Sequence, residues 1–514
     1  MRRYLIVLSF ALMFLFLGNS LAQDVASFEK RTTVKVLKNG LTVVLCERPE
    51  APVFSFFTIV DAGAVQDPQG SAGMAHMFEH EAFKGTDRIG TTNYAKEKVA
   101  LEKVEQAWAT YDREDRKEIG RDAKKVADLR TAFDKAVKDA DQYVIKNRFG
   151  EIIDREGGVG LNASTGMDST QYFYSMPVNR LETWAYLESS RFRNPVLREF
   201  YKERDVVHEE RRLRTDSNPI GKLVEQFTAT AYEAHPYHRS AIGWPSEIDH
   251  LTATEAAKFY RMYYVPSNTV IALVGALKPE QVFPIMEKYF GPIPSSPKPE
   301  PLITEEPEQF AERSVVIRDK SQPFYIEGYH RPNYRDPDNA VYSVISDLLS
   351  EGRTSRLYRT MVRDQKIAAF AGGFSGLPGT KYPGLFSFVA VPVPGHTAQE
   401  MGKAIREQIE RLKNEDVSDE ELQMVKTRAK ANLIRGLANN QGLAIQMASY
   451  QLRYGDWREL FRSVDKIDKV SKADIRRVAS KTFVEKNCTV AMIENDATKP
   501  AQSKDGDTQK KETR

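Results

Sequence analysis

A proline-rich stretch, GPIPSSPKPEPLITEEP over residues 291–307, divides this 514-residue chain into two parts, each near the size of one large domain. A single hydrophobic core stops growing near about 250–300 residues, so a chain of this length is expected to build more than one. The stretch therefore reads as an interdomain linker between an N-terminal domain over residues 29–290 and a C-terminal domain over residues 308–495. Local patterns repeat across it. In the first part, β-type runs at 34–37 and 41–46 are joined through Lys38-Asn39-Gly40 as in a hairpin, and an apolar run at 53–60, a glycine-containing loop and a helical segment at 73–83 follow. The second part repeats this order with runs at 314–317 and 324–329, a helical pattern at 339–349 and a strand near 385–391. The implied fold class is α+β: two similar domains, each a mixed or antiparallel sheet packed by helices, related by an internal repeat.

Three segments stand outside that repeat. Residues 94–144 are dense in charge, with Val99, Val104, Val126, Leu129, Phe133 and Val137 at helical spacing and a break at Gly120, the pattern of an inserted helical hairpin. The first 22 residues have the positive start, short apolar run and small-residue end of a secretory signal, and residues 496–514 are a polar stretch without apolar periodicity, expected to be a disordered tail. Loss of Arg2 and Arg3 with the signal takes the formal charge from +3 to +1, and the remaining charges are interspersed, which argues against a nucleic-acid or anionic-surface partner. A periplasmic or secreted location is expected. Cys46 and Cys488 lie near opposite ends of the mature chain, and pairing would require the fold to bring their α-carbons within about 7 Å.

The chemistry concentrates at His76-Met77-Phe78-Glu79-His80. Histidines at i and i+4 share one helix face, so two imidazoles can converge on one ion. A catalytic zinc needs a third protein ligand and an open position for water, and Glu79 is placed to act as general base on that water. This site has no counterpart in the second part of the chain, where the helix-rich stretch at 420–452 is rich in lysine and alanine. His235 and His238 in a His-Pro-Tyr-His turn show no matching ligand cluster and read as structural.

The wider segment GMAHMFEHEAFKGT over residues 73–86 resembles the motif region of the pitrilysin/insulinase family of zinc metallopeptidases. That family takes its third ligand from a glutamate on a later helix. The matching segment, ERDVVHEER over residues 203–211, puts that ligand at Glu210, with the adjacent Glu209 as second choice, and Glu203 at a position that supports the site from behind the ligands. The spacing from His80 to Glu210 exceeds the family's usual one because of the insertion, after which the pattern resumes at GGVGLNA, residues 157–163. By resemblance, residues 161–165 form the edge strand on which a peptide lies as an added strand, with Asn162 and Ala163 as contacts. An arginine and a tyrosine seven residues apart often bind the substrate carbonyl; here Arg363 is kept but Phe370 stands in the tyrosine position. Either another group such as Tyr382 replaces the missing hydroxyl, or a second, homologous chain supplies the pair.

What the resemblance implies is a zinc-dependent endopeptidase carrying one Zn2+ per chain. It would hydrolyse peptides or unfolded segments inside a chamber, with zinc-bound water as nucleophile and Glu79 as base, and would act as a homodimer or with a homologous peptidase-like chain. Two rivals remain: a precursor-processing peptidase, and a non-catalytic assembly subunit of the same fold.

Overall fold

The computed structural model describes residues 25–495; the expected signal at 1–22 and the tail at 496–514 lie outside the described residues. Within that span no helix is long and apolar enough to cross a membrane.

Two sheets carry the fold. The first has six strands, β1 (Thr32–Val36), β2 (Thr42–Glu47), β3 (Val53–Val60), β4 (Val159–Thr165), β5 (Thr170–Pro177) and β6 (Thr269–Gly275), in the order β1-β2-β6-β3-β5-β4. The second has five, β7 (Arg313–Asp319), β8 (Phe324–Arg331), β9 (Ala368–Leu377), β10 (Gly384–Pro392) and β11 (Cys488–Asn495), in the order β7-β11-β8-β10-β9. In each sheet one parallel pair (β2 with β6, β7 with β11) is followed by antiparallel pairs only. Removing β1 from the first sheet leaves the same order and the same strand directions as the second. The internal repeat read from the sequence is therefore a repeat of topology.

The central strands β3 and β6 of the first sheet are apolar along most of their length because both faces are covered. On one face of the first sheet, Val44, Cys46, Phe57, Ile59, Val270, Ala272 and Val274 form a buried cluster with Leu443, Ala444, Met447, Ala448, Trp457 and Phe461. These partners come from the helices Asn440–Tyr454 and Glu459–Asp468 and, for Trp457, from the turn between them, late in the chain. The alternate residues Phe54 and Phe56 face the other way, against Trp184 and Tyr174, as the two-residue period of a strand requires. The second sheet borrows in the opposite direction: the helix Pro219–Ala231 packs on β7, β8 and β11. The two compact units are accordingly discontinuous. The first takes in the chain up to Asp205, Ala241–Leu302 and Lys426–Lys469; the second takes in Val206–Ser240, Ile303–Val425 and the chain from Val470 on.

The segment at 94–144 forms a hairpin of two helices, Tyr94–Asp115 and Ala123–Asp141, packed on each other, with Gly120 at φ +71° in the turn. Side chains of Asn93 and Asp122 accept backbone N–H bonds at the two helix starts, where those donors have no partner within the helix. The ends of the insertion meet: Thr92 N donates to Tyr143 O at 2.8 Å and Ile145 N to Gly90 O at 2.9 Å. An arm rooted at one point in this way leaves the surrounding fold continuous.

Candidate metal centre

The histidine motif lies on the helix Met74–Glu81. Its first residues are held from outside the helix. Gly73 N and Ala75 N donate to the two carboxylate oxygens of Asp67 at 2.7 and 2.8 Å, and Ala72 N donates to Glu247. Two carboxylates at this end also suit the helix dipole. Gly73, at φ +96°, and Gly243, at φ +87°, let two backbones meet there: a Cβ on Gly243 would lie 2.2 Å from Ala72 O, and one on Gly73 2.7 Å from Ile242 O. Gly243→Ala is expected to cost about 1–3 kcal/mol through left-handed strain and this clash, and to weaken metal binding by moving the helix start; thermal unfolding and metal titration would read both effects.

His76 is buried and His80 half-buried, with ring centroids 4.8 Å apart. His80 Nδ1 is hydrogen-bonded to Glu203 Oε1 at 2.9 Å, which leaves Nε2 as the nitrogen to present to an ion. The other Glu203 oxygen meets Lys84 Nζ at 2.5 Å. Burial pushes the Glu203 carboxyl up, but the bonds from His80 and Lys84 outweigh it and hold the group down at about 2. Glu203 and Glu210 lie on the helix Phe200–Arg211, a continuous element that the boundary between the units crosses after Asp205. Seven residues are close to two helical turns, so the helix itself keeps these two carboxylates on one face.

His76, His80 and Glu210 come together: one ligand atom from each lies within 4.8 Å of the others, the only such metal-capable group among the described residues. Glu210 also pairs with Arg214 at 2.7 Å. Glu209, the second choice from sequence, instead forms an exposed pair with Arg212. Two imidazoles and one carboxylate suit zinc, with room for a further, non-protein ligand. The donor set and the His80–Glu203 bond both fit such an ion.

Glu79 sits between the two histidines in sequence, half-buried. Its charge reaches Tyr172 and Tyr264, whose hydroxyls are 2.9 Å apart; burial raises both phenols and the Glu79 carboxylate adds to the rise. Glu81, directly after the motif, is fully buried with both carboxylate oxygens unpartnered, and burial raises its carboxyl well above the usual range.

Strand β4 is an edge of the first sheet and packs on the motif helix. Asn162 is exposed and Ala163 half-buried, and their backbone pairs with β5 on one side only. Arg363 is not among the residues gathered at the histidines; it is exposed and paired with Asp364 at 2.6 Å. Phe370 is 54% exposed on β9, the equivalent edge of the second sheet. Tyr382 packs against the rings of His235 and Tyr237. His235 Nδ1 accepts from Tyr237 N, His238 Nδ1 meets His235 O, and Glu306 accepts from Glu233 N, Ala234 N and His235 N, so both imidazoles serve to close this turn. Cys46 and Cys488 are both free and buried. Sequence reasoning passed over Asp67, Lys84 and Glu247. Each is an ordinary charged residue in a loop or short helix, and only the tertiary fold shows what it holds.

The family model "Peptidase M16 inactive domain" matches residues 250–429, a span that contains none of His76, Glu79, His80 or Glu210. The chain is 28% identical over 464 residues to the zinc protease PqqE of Helicobacter pylori, covering 89% of this chain and 91% of that protein. It is 23% identical to a probable mitochondrial-processing peptidase subunit beta of Arabidopsis thaliana, covering 90% and 78%. Among solved structures, that of a protease from Helicobacter pylori superposes with a TM-score of 0.75 at 27% identity, covering 90% of this chain and 99% of that one.

Proposed function

Because this chain has the pitrilysin-like fold of the M16 peptidases, we propose that it is a zinc-dependent endopeptidase cutting internal bonds of peptides or unfolded segments. The observation that carries the reading is the convergence of His76, His80 and Glu210 beside Glu79, with His80 oriented by Glu203. Zinc, when bound there, would lower the pKa of a water to about 7 and polarise the scissile carbonyl. The chain's own residues supply the rest. Glu79 takes the proton of the attacking water and returns it to the leaving amine. The open side of β4 accepts an extended peptide as an added strand; its backbone bonds, with Asn162 and Ala163 as the contacts, give affinity with little demand on sequence.

Phe370 has no hydroxyl to offer a substrate carbonyl, which favours a partner chain: a second copy, or a homologous peptidase-like chain that contributes the arginine and tyrosine. A relative named as a subunit agrees with that arrangement. Export to the periplasm or beyond is proposed from the signal pattern of residues 1–22.

The test is cleavage of a quenched fluorescent peptide library by the purified mature chain, with bound metal counted, beside Glu210→Gln and Glu209→Gln. Zinc near one equivalent and cleavage are expected for the unaltered chain and for Glu209→Gln. Glu210→Gln should weaken zinc binding by at least about 10–100-fold, since loss of a supporting residue alone costs that much. Zinc without cleavage would point to the missing partner chain. No zinc at all would leave the non-catalytic assembly subunit as the better account.

A further inference from the structure

We infer that the helical insertion is a positioning element of the metal centre: Glu97 fixes Arg198, which ties down the loop behind the motif helix, while the hairpin's aromatic face seats the helix carrying Glu203 and Glu210. The inference rests on the metal reading above, and two separate sets of contacts support it.

The first is a buried ion pair. Arg198 is 1% exposed and Glu97, in the first turn of the insertion, is 0% exposed. Arg198 Nε and Nη2 donate to the two Glu97 oxygens at 2.7 and 3.2 Å. Its remaining donors go to carbonyls of the loop that follows the motif helix: Lys84 O at 2.6 Å, Ile89 O at 2.9 Å and Thr86 O at 2.7 Å. All five guanidinium N–H groups are thereby used. The loop closes on the guanidinium through glycines, since a Cβ on Gly85 or Gly90 would lie 2.9 or 3.0 Å from Arg198 Nη1. From this loop Lys84 reaches Glu203, and Glu203 holds His80. A line of direct contacts thus runs from the insertion to a metal-site histidine.

The second set seats the other ligand helix. Tyr201 and Arg204 lie on Phe200–Arg211 and face the hairpin. The Tyr201 hydroxyl donates to Glu105 at 2.6 Å, its ring lies 5.0 Å from both Trp108 and Phe133, and the Arg204 guanidinium stacks 4.2 Å over Trp108. Arg204 also donates to the carbonyls of Asp249 and Leu251. A solvated decoration would have no reason to sink a carboxylate into the body of the protein. A buried ion pair adds little net stability against an apolar pair of the same size, so its use here is to fix geometry.

The test uses the full chain, Glu97→Gln, and the double variant Glu97→Met with Arg198→Met. Three readouts are taken: zinc affinity by chelator competition, hydrogen exchange of the metal-free protein, and peptide kinetics. Glu97→Gln is expected to lose at least tenfold in zinc affinity, with kcat reduced more than KM is changed. In the metal-free protein, amides of residues 84–90 and 200–211 should exchange faster while those of β3 and β6 keep their rates. The double variant, with no charge left uncompensated, should regain stability but not zinc affinity, because the carbonyls of Lys84, Thr86 and Ile89 have lost their donor; it also carries the test if Glu97→Gln does not fold. Native zinc affinity and native protection in folded Glu97→Gln, or full recovery of zinc affinity in the double variant, would overturn the inference. If the unaltered chain binds no zinc, the metal reading fails by itself, and exchange at 84–90 and 200–211 still decides whether the insertion holds these segments.

Discussion

Glu79→Gln should lower kcat/KM for peptide cleavage by about 10²–10⁴-fold, the range a positioned general base contributes, while zinc stays bound. Glutamine keeps the size of the side chain and loses only its capacity to take a proton. The group of ligand atoms that come within 4.8 Å of one another consists of His76, His80 and Glu210, so the substitution leaves the donor set whole. His76 is held by burial and His80 by its bond to Glu203. Steady-state kinetics beside a metal count would read the effect. Loss of zinc together with activity would assign Glu79 to holding the ion; unchanged kinetics would move the base elsewhere.

Trp457→Ala should destabilise the first unit by about 3–5 kcal/mol, although the residue belongs to the last fifth of the described chain. Its side chain is 1% exposed and lies in one buried cluster with Val44, Phe57 and Ala272 from the first sheet. Removing it leaves a cavity that a sheet on one side and two helices on the other cannot easily close. Against a typical net stability of about 5–15 kcal/mol, that is a large share. Urea unfolding followed by a probe in the first sheet would measure it, and a change under about 1 kcal/mol would mean that the late helices are only loosely seated. Phe227→Ala should act likewise on the second sheet, where the ring comes within 2.7 Å of the place a Cβ on Gly328 would occupy.

What the sequence made legible was local. The run at 53–60 is rich in aromatic and β-branched residues and is strand β3, with the same bounds. The hairpin at 94–144 showed its apolar stripe and its glycine break. Two histidines at helical spacing announced a shared face without any knowledge of the fold. Glu210 needed a resemblance to a family, because nothing in its own surroundings separates it from Glu209; the structure does, by turning Glu209 toward Arg212 in solvent. The pairing of Glu97 with Arg198 spans 101 residues, and each reads in isolation as a solvated charge. The helix Asn440–Tyr454 carries polar residues around most of its circumference, and no periodicity within it names the sheet it covers. Local pattern gives an element's type and its apolar face, whereas the partner of that face is a property of the whole chain.

The exchange of covering helices bears on the order in which the protein can be made. The last strand of the first sheet is complete at Gly275, but the cluster over one of its faces is not complete until Phe461. At a synthesis rate of about 5–20 residues per second, the intervening chain takes roughly 10–40 s to appear. During that interval Phe57, Ile59, Val270 and Val274 lack the cover of the late helices, and the newly made sheet offers an apolar face to whatever it meets. Folding of the first unit is therefore tied to synthesis of the helices Asn440–Tyr454 and Glu459–Asp468, and a ribosome stalled before them would hold an aggregation-prone fragment in place of a finished core.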